Sequence, residues 1–439
     1  MEEKRYWNPQ AETMSVEKIR RLQFERLKYQ INRAYALSPL VGNLWKRTGV
    51  KPEDIKSLED FTKRTPTINK DMVRLYREGT GDPNGGMSML PPDGRFWINS
   101  SSGTTGAPTF LPITERDIEI FAESYCRFFW ICGVRPGDTI LIAMAMFLRG
   151  SRPLYKACEK MGLNAILTDM LDAPRIIHSL RHVKPKFMVF LTPPLQQGIR
   201  DELVRLGFDP RQTFASMKSV IFAGDKLTPK ARTIIEKEWD CEAFELSGTA
   251  DLNYFFSECE LHDGLHGWDD MFFLEIVDPK TDQPVGPGER GEFIFTSLRD
   301  ESLAFIRWRS EDIGYVNTEP CPCGRTHART YFLGRVGYEV NIKGKSLFPG
   351  EIHESLEDYP ETDHGLFQII KYAAKMDTLK LKIGLRSNQS GNHDEIKRTV
   401  SAGLEKKFAL PVEIEFVPNA ELLAIGPPHK IPRIDDRSK

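Results

Sequence analysis

The chain has 439 residues, more than one hydrophobic core comfortably serves, so two domains are expected. It is 40% hydrophobic and 28% charged with a formal net charge of −2, which gives no electrostatic reason to expect nucleic acid or an anionic membrane as partner. No apolar run approaches the ~20 residues of a bilayer span, Met1–Tyr6 lacks an apolar signal core, and seven cysteines in a long chain argue against a disulfide framework, so the chain reads as cytoplasmic.

Residues 15–37 predict a helix, with Phe24, Leu27, Ile31 and Ala34 three and four apart and charges between them. Arg95–Ile98 is an apolar strand candidate, and Glu115–Phe129 is helical in pattern. From 138 to 246 short apolar runs (Thr139–Ala145, Asn164–Leu167, Lys186–Leu191, Ser219–Ala223, Ala243–Leu246) alternate with amphipathic segments (Pro153–Met161, Pro174–His182, Pro229–Trp239). That rhythm predicts βαβ units and a largely parallel sheet, with ligands beyond the carboxyl ends of its strands. After about 268 the texture turns β-rich, in Phe272–Val277 and Gly291–Thr296. Beyond Gly334-Arg335 the pattern gives a helix at 350–358, strands at 366–373 and 378–386, a helix at 393–408 and a strand at 412–417. The fold class is therefore α/β, with a large N-terminal domain over 1–335 and a small α+β domain over 336–439.

Ser100-Ser-Ser-Gly-Thr-Thr-Gly-Ala-Pro-Thr109 is the most informative stretch. Glycines let successive amide hydrogens turn towards one anion and hydroxyls add donors, which suits a polyphosphate. No Gly-Lys-Ser/Thr closes it, so it is not a Walker loop. A flexible surface linker is the competing reading, weakened by the loop's shortness and its place between a strand and a helical segment.

This loop resembles the Ser-Ser/Gly-Gly-Thr-Thr-Gly-x-Pro signature of adenylate-forming enzymes. Arg26–Tyr35, Ser38-Pro39, Gly49–Asp60, Asp263–Trp268, Ile306–Asp312, Cys321–His327, Gly334-Arg335, Phe348-Pro349 and His429–Arg433 are similar in particular to phenylacetate–coenzyme A ligases, in the same order over nearly the whole chain. The resemblance implies ATP-dependent activation of an aryl or related carboxylic acid as its adenylate, transfer to coenzyme A, magnesium as cofactor, a mobile C-terminal cap and a homodimer. It leaves open a stand-alone protein that loads a carrier-protein thiol, and a non-catalytic, zinc-stabilised nucleotide-binding relative.

On this resemblance Ser101, Ser102, Gly103, Thr104, Thr105, Gly106 and Thr109 take the β- and γ-phosphates, and Asp312 grips the ribose hydroxyls. Arg335 contacts ribose or phosphate, and Lys430 is the catalytic lysine that bridges the acid's carboxylate and the α-phosphate. Lys343-Gly344 and Phe348-Pro349 face the thioester-forming side. Several positions depart from the family. Its Tyr-Gly-x-Ser/Thr-Glu reads Ser247-Gly248-Thr249-Ala250-Asp251, so Asp251 would hold magnesium from one methylene further back. Ala107 replaces the loop lysine, Gly337 the pivot aspartate, and Ala223-Gly224-Asp-Lys226 the Gly-Ala-Glu-Pro turn. The acid pocket reads Met144-Ala-Met-Phe147-Leu-Arg149-Gly150, then Ser151-Arg152. Methionine adapts to shape and arginine pairs with a second anion, which suggests an acid other than plain phenylacetate. Both arginines facing solvent is the equal alternative.

Cys259, His266, Cys321 and Cys323 offer soft ligands of the kind zinc prefers. Their spacing matches no zinc finger and ordinary buried thiols compete, but some phenylacetate ligase relatives carry cysteines and histidine at similar positions. His262 and His327 are reserve ligands. Cys126, Cys132, Cys158 and Cys241 sit in apolar or helical contexts and read as core filler.

Overall fold

The computed structural model describes residues 5–100, 109–169, 171–224, 226–249, 252–385, 393–425 and 431–438. Two compact units divide it. The first comprises Met1–Leu227, Ala231–Ser310 and Gly314–Tyr331, and the second Thr228–Lys230, Glu311–Ile313 and Phe332–Lys439.

The alternating segments fold as their pattern predicts. Asn164–Thr168, Thr139–Ala143, Phe187–Leu191, Ser219–Ala223 and Glu242–Thr249 lie side by side in that order, each pair parallel. Phe187–Leu191 and Ser219–Ala223 are buried along their whole length, as strands covered on both faces must be. Helices Ser151–Met161, Ala173–His182 and Pro193–Leu206 connect them. Pro229–Thr233 continues as a π-turn over Ile234–Glu238. The sheet then turns antiparallel through Asn253–Glu258, Leu265–Gly267 and Arg329–Arg335. It ends in the β-rich strands Trp308–Asn317, Gly291–Ser297 and Phe272–Val277. Ser15 caps the long helix Val16–Leu37, accepting from the Lys18 amide, as the 15–37 periodicity requires. Among the described residues no helix is long and apolar enough to cross a membrane.

The second unit has its own core. Val412–Val417, Leu379–Leu385, Thr362–Lys371 and Ile434–Asp436 form one sheet. Ile352, Leu356, Val400 and Leu404, from helices Pro349–Leu356 and His393–Phe408, pack in one cluster with Phe367, Ile369, Leu381 and Ile414. The last strand was not in the sequence pattern. It forms because 434–436 pair in parallel with 369–371, anchored by Ile431, which is 4% exposed.

Candidate functional site

The glycine-rich stretch itself, 101–108, lies outside the described residues, but both flanks are well placed. Trp97–Ser100 pairs antiparallel with Phe110–Ile113, Ser100 opposite Phe110, so the stretch joins two paired strands rather than a strand and a helix. The helix follows one residue later, at Glu115, where Thr114 and Asp117 form a reciprocal capping box. Four residues containing Pro112 carry too little periodicity to announce a strand. Thr109 accepts from Arg77 Nη1 at 3.4 Å.

The residues proposed for the acid pocket brace this hairpin. Asn99, 6% exposed, donates through Nδ2 to three successive carbonyls, Met146 at 3.4 Å, Phe147 at 3.1 Å and Leu148 at 3.3 Å. The Ser100 amide donates to the Phe147 carbonyl at 3.2 Å. Ser151 Oγ adds bonds to Met146 and Leu148 from below. Phe147 is thereby held 53% exposed, while Met144 is 2% exposed among the core side chains with Ala223 and Leu246. Met144, Ala223-Gly224 and Ser247-Gly248 thus stand at or just beyond the carboxyl ends of adjacent or near-adjacent parallel strands, where open α/β sheets bind ligands. Gly224 takes φ +87°, a conformation that admits glycine readily.

Arg149 follows neither expectation. It is fully buried, its Nη2 bonded to both Asp300 oxygens (3.0 and 2.8 Å) and to Ser302 Oγ (3.0 Å), with Phe121 and Phe305 against its guanidinium. Ser302 Oγ in turn donates to the Pro112 carbonyl at 2.9 Å. Arg149 is therefore an internal strut to the second hairpin strand, already neutralised and unavailable to a substrate's anion. Arg152 keeps a third of its side chain exposed and stacks 3.7 Å over the Trp97 ring.

In the second unit Asp312, its side chain 14% exposed, has Arg335 Nε at 3.4 Å. Gly337 takes φ +82° in a turn closed by the Tyr338 amide on the Arg335 carbonyl, and a Cβ there would meet no neighbour within 4 Å. Lys343 and Gly344 are the two turn residues of a hairpin pairing Ile342 with Lys345, at φ +50° and +83°. Positive φ at both positions is what a two-residue hairpin demands. Ala250, Asp251 and Lys430 lie outside the described residues, as does the side chain of Thr249.

Cys259, His266, Cys321 and Cys323 are all buried, and their donor atoms lie within 4.8 Å of one another. Cys259 follows the strand Asn253–Glu258, and His266 sits on the neighbouring strand opposite Ser257. Cys321 and Cys323 flank Pro322 in a turn closed by the Gly324 amide on the Cys321 carbonyl. Gly324 has φ +80° and a Cβ there would strike Tyr6 Oη, so glycine is required on two counts. His266 Nδ1 bonds the His327 carbonyl at 2.9 Å, which leaves Nε2, 3.4 Å from Cys323 Sγ, with its lone pair facing the thiols. The hydrogen bond from the neighbouring Cys259 thiol holds the Cys323 thiol below its ordinary range. Of the reserve ligands, His327 is used at both nitrogens, accepting from the Asp269 amide and bonding the Ala11 carbonyl. His262 lies between Glu242 and Glu258, which raise it to about 9. Cys126, Cys158 and Cys241 are pushed by burial to about 12, and Cys132 well up, as inert core thiols are.

No family model matches the chain. Full-length relatives do. A phenylacetate–coenzyme A ligase of Aromatoleum evansii is 30% identical over 399 residues, covering 90% of this chain and 88% of that protein. The chain belongs to the phenylacetate–coenzyme A ligase family. The namesake of Thermus thermophilus is 27% identical over 86% of this chain and 84% of its own. The ligase also superposes on 2-hydroxyisobutyryl-CoA ligase, solved in the postadenylation state in complex with 2-HIB-AMP, with a TM-score of 0.84, 25% identity, and coverage of 99% and 93% of the two chains. It is an AMP-forming acid–CoA ligase: ATP activates a carboxylic acid as its adenylate and coenzyme A takes the acyl group.

Asn99 and the Asp300–Ser302 strut were not visible in the ligase's sequence. An asparagine closing an apolar strand before a glycine loop is the one signal present. Its variant Asn99→Ala should lose about 1–2 kcal/mol of stability, because buried carbonyls lose a donor. It should raise KM for the acid several-fold more than KM for ATP, since the bonds it loses hold the 146–148 turn. Equal changes in the two KM values would show that Asn99 serves the hairpin alone.

Proposed function

We propose that this ligase activates an aryl carboxylic acid other than plain phenylacetate, and that the 144–152 segment selects it. The observation that carries the reading is the packing of this segment. Over a buried Met144, the exposed side chains of Met146 and Phe147 stand beside the phosphate-loop hairpin. That is an apolar surface with one adaptable side chain, in the segment where phenylacetate ligases carry a glycine-rich aromatic one. With Arg149 consumed by Asp300, Arg152 is the cation left at this segment for a polar substituent. A panel of aryl and alkyl acids, with coenzyme A thioester formation as readout, tests this. Bulkier or substituted aryl acids should lead, and phenylacetate leading by a wide margin would end it.

Attack of a carboxylate on an α-phosphate brings two anions together, so cations and backbone dipoles carry the catalysis. In our assignment Ser101–Gly106 and Thr109 hold the phosphate tail, with Ser247, Gly248 and Thr249 alongside. Asp251 supplies a hard oxygen for magnesium. Asp312 accepts from the ribose hydroxyls, Arg335 steadies ribose or phosphate, and Lys343-Gly344 faces the incoming thiol. Met144, Phe147, Ala223 and Gly224 shape the acid pocket, with Arg152 at its rim. Charged hydrogen bonds contribute about 1.5–3 kcal/mol each, so Asp312→Ala should raise KM for ATP by about tenfold or more and leave KM for the acid unchanged. An unaltered KM for ATP removes Asp312 from the nucleotide site.

Cys259, His266, Cys321 and Cys323 are proposed to hold one structural zinc. Tetrahedral Zn–S bonds of ~2.3 Å place sulfurs about 3.8 Å apart. The Cys259–Cys321 separation is 3.9 Å. Four protein ligands close the coordination shell, so the ion supplies folding energy rather than chemistry. The functional unit is proposed, by family analogy, to be a homodimer in the cytoplasm, with sedimentation at twice 50.2 kDa as its check.

A further inference from the structure

In the first unit a cleft of about 460 Å³ lies among the helix Val16–Leu37, the helix Glu115–Ile131 and the 298–301 turn. A second cleft of about 310 Å³ shares Arg26, Arg116, Ile120 and Arg299 with it. Three guanidiniums from three different elements therefore border both.

Their partners are unevenly distributed. Arg127, at the floor, is neutralised by a fork-to-fork pair with Asp270 at 2.7 and 3.0 Å. Lys160 has Glu119 and Glu123 at 3.9 and 3.7 Å. Arg26 donates to the Asp270 carbonyl, and its distance to that carboxylate is 3.8 Å. Arg116 reaches Glu301 only at 3.8 Å, and that carboxylate already accepts from Thr114 Oγ at 2.7 Å. Arg33, at the second cleft, is spent on the carbonyls of Asp300 and Glu301. Arg299 makes no side-chain hydrogen bond or ion pair among the described residues, although it is half-buried within the field of Asp270 and Glu123 on one side of the balance and Arg127 and Arg116 on the other. Burial lowers the Arg299 and Arg26 guanidiniums, and each also lowers the other or is lowered by a neighbouring arginine. Asp270 and Glu123 offset part of this repulsion, but both carboxylates are already engaged by Arg127, which leaves Arg26, Arg116 and Arg299 as a positive excess along the clefts.

We propose that this cleft is a binding site for a phosphate group borne by a small molecule, gripped by Arg26, Arg116 and Arg299. A tetrahedral dianion offers oxygens in several directions, so guanidiniums arriving from three elements can each engage it; a planar carboxylate offers two oxygens on one edge. Each cleft falls within the range of small-ligand sites and leaves room for what carries the phosphate. The site shares no residue with the adenylation machinery assigned above, so its occupancy and the ligase reaction are separable.

The test is thermal melting of the full-length protein with rising inorganic phosphate at constant ionic strength. Wild type should gain on the order of 3 °C, saturably. Arg299→Gln should melt close to wild type without phosphate, because the guanidinium removed makes no ion pair, and should show no phosphate response. Arg299→Lys, which keeps the charge but not the fork, should respond only at about tenfold higher phosphate. No response in wild type, or an equal response in Arg299→Gln, overturns the site. Equal stabilisation by a tricarboxylate overturns its assignment to phosphate.

Discussion

Lys430→Ala should slow acyl-adenylate formation by about a hundredfold or more, the cost of removing one preorganised charge from a site where charge develops. As a carboxylate oxygen approaches the α-phosphorus, negative charge accumulates on the phosphate oxygens while a second anion arrives. An ammonium touching both lowers that barrier without tightening the ground state, so kcat should fall and KM for ATP change little. Lys430→Gln should be as poor as Lys430→Ala, since charge rather than length is lost. The lysine itself is outside the described residues; the residues that follow it are held by the second unit. Ile431 packs with Leu366, Val417 and Leu422, Arg433 donates to the Phe367 carbonyl, and 434–436 add a strand to the sheet of the second unit. Ile431 and the residues that follow it are thus built into the second unit. Near-normal adenylation in Lys430→Ala would dismiss the assignment.

Cys321→Ser should lower stability by more than about 4 kcal/mol, the range in which loss of a metal falls, and the melting temperature by on the order of 10 °C. The size follows from what the loop holds. Tyr6 Oη donates to the Cys323 carbonyl at 2.9 Å, Arg325 pairs with the fully buried Glu12 at 3.0 Å, and His327 bonds the Ala11 carbonyl. Loss of the proposed ion should free the Cys321–His327 turn and residues 5–15 with it. Wild type should carry one zinc per chain and melt lower after chelation, whereas Cys158→Ala should cost only the ordinary 1–2 kcal/mol of a small core change. A wild-type protein free of zinc, with a melting curve indifferent to chelator, would return these residues to the status of buried thiols.

What could be read in the sequence was whatever local pattern decides. The parallel strands between Thr139 and Leu246 announce themselves by short, mostly apolar runs, and the C-terminal α+β elements by alternation. Helix Pro193–Leu206 went unread because Pro193-Pro194 and Gly198 look like loop, although proline is favoured in a first helical turn and Thr192 supplies the cap. Phe110–Ile113 and Ile434–Asp436 are strands only because a partner strand recruits them, a non-local cause invisible along the chain. Arg149 is the instructive case. Its counter-ion Asp300 is 151 residues away, so its charge suggested a ligand or solvent where the fold had provided a carboxylate. Asn99 was hidden likewise, its three acceptors standing 47 to 49 residues on. Motif similarity supplied what periodicity did not: Cys259 and Cys321, 62 residues apart, meet as a cluster that spacing alone did not demand.

The central claim is that this chain joins an acid to AMP before any thiol is involved. Exchange of labelled pyrophosphate into ATP, with purified protein and magnesium, isolates that step. Exchange should require the acid, proceed without coenzyme A and collapse in Lys430→Ala. A protein that binds ATP yet shows no acid-dependent exchange with any member of a broad acid panel would contradict it.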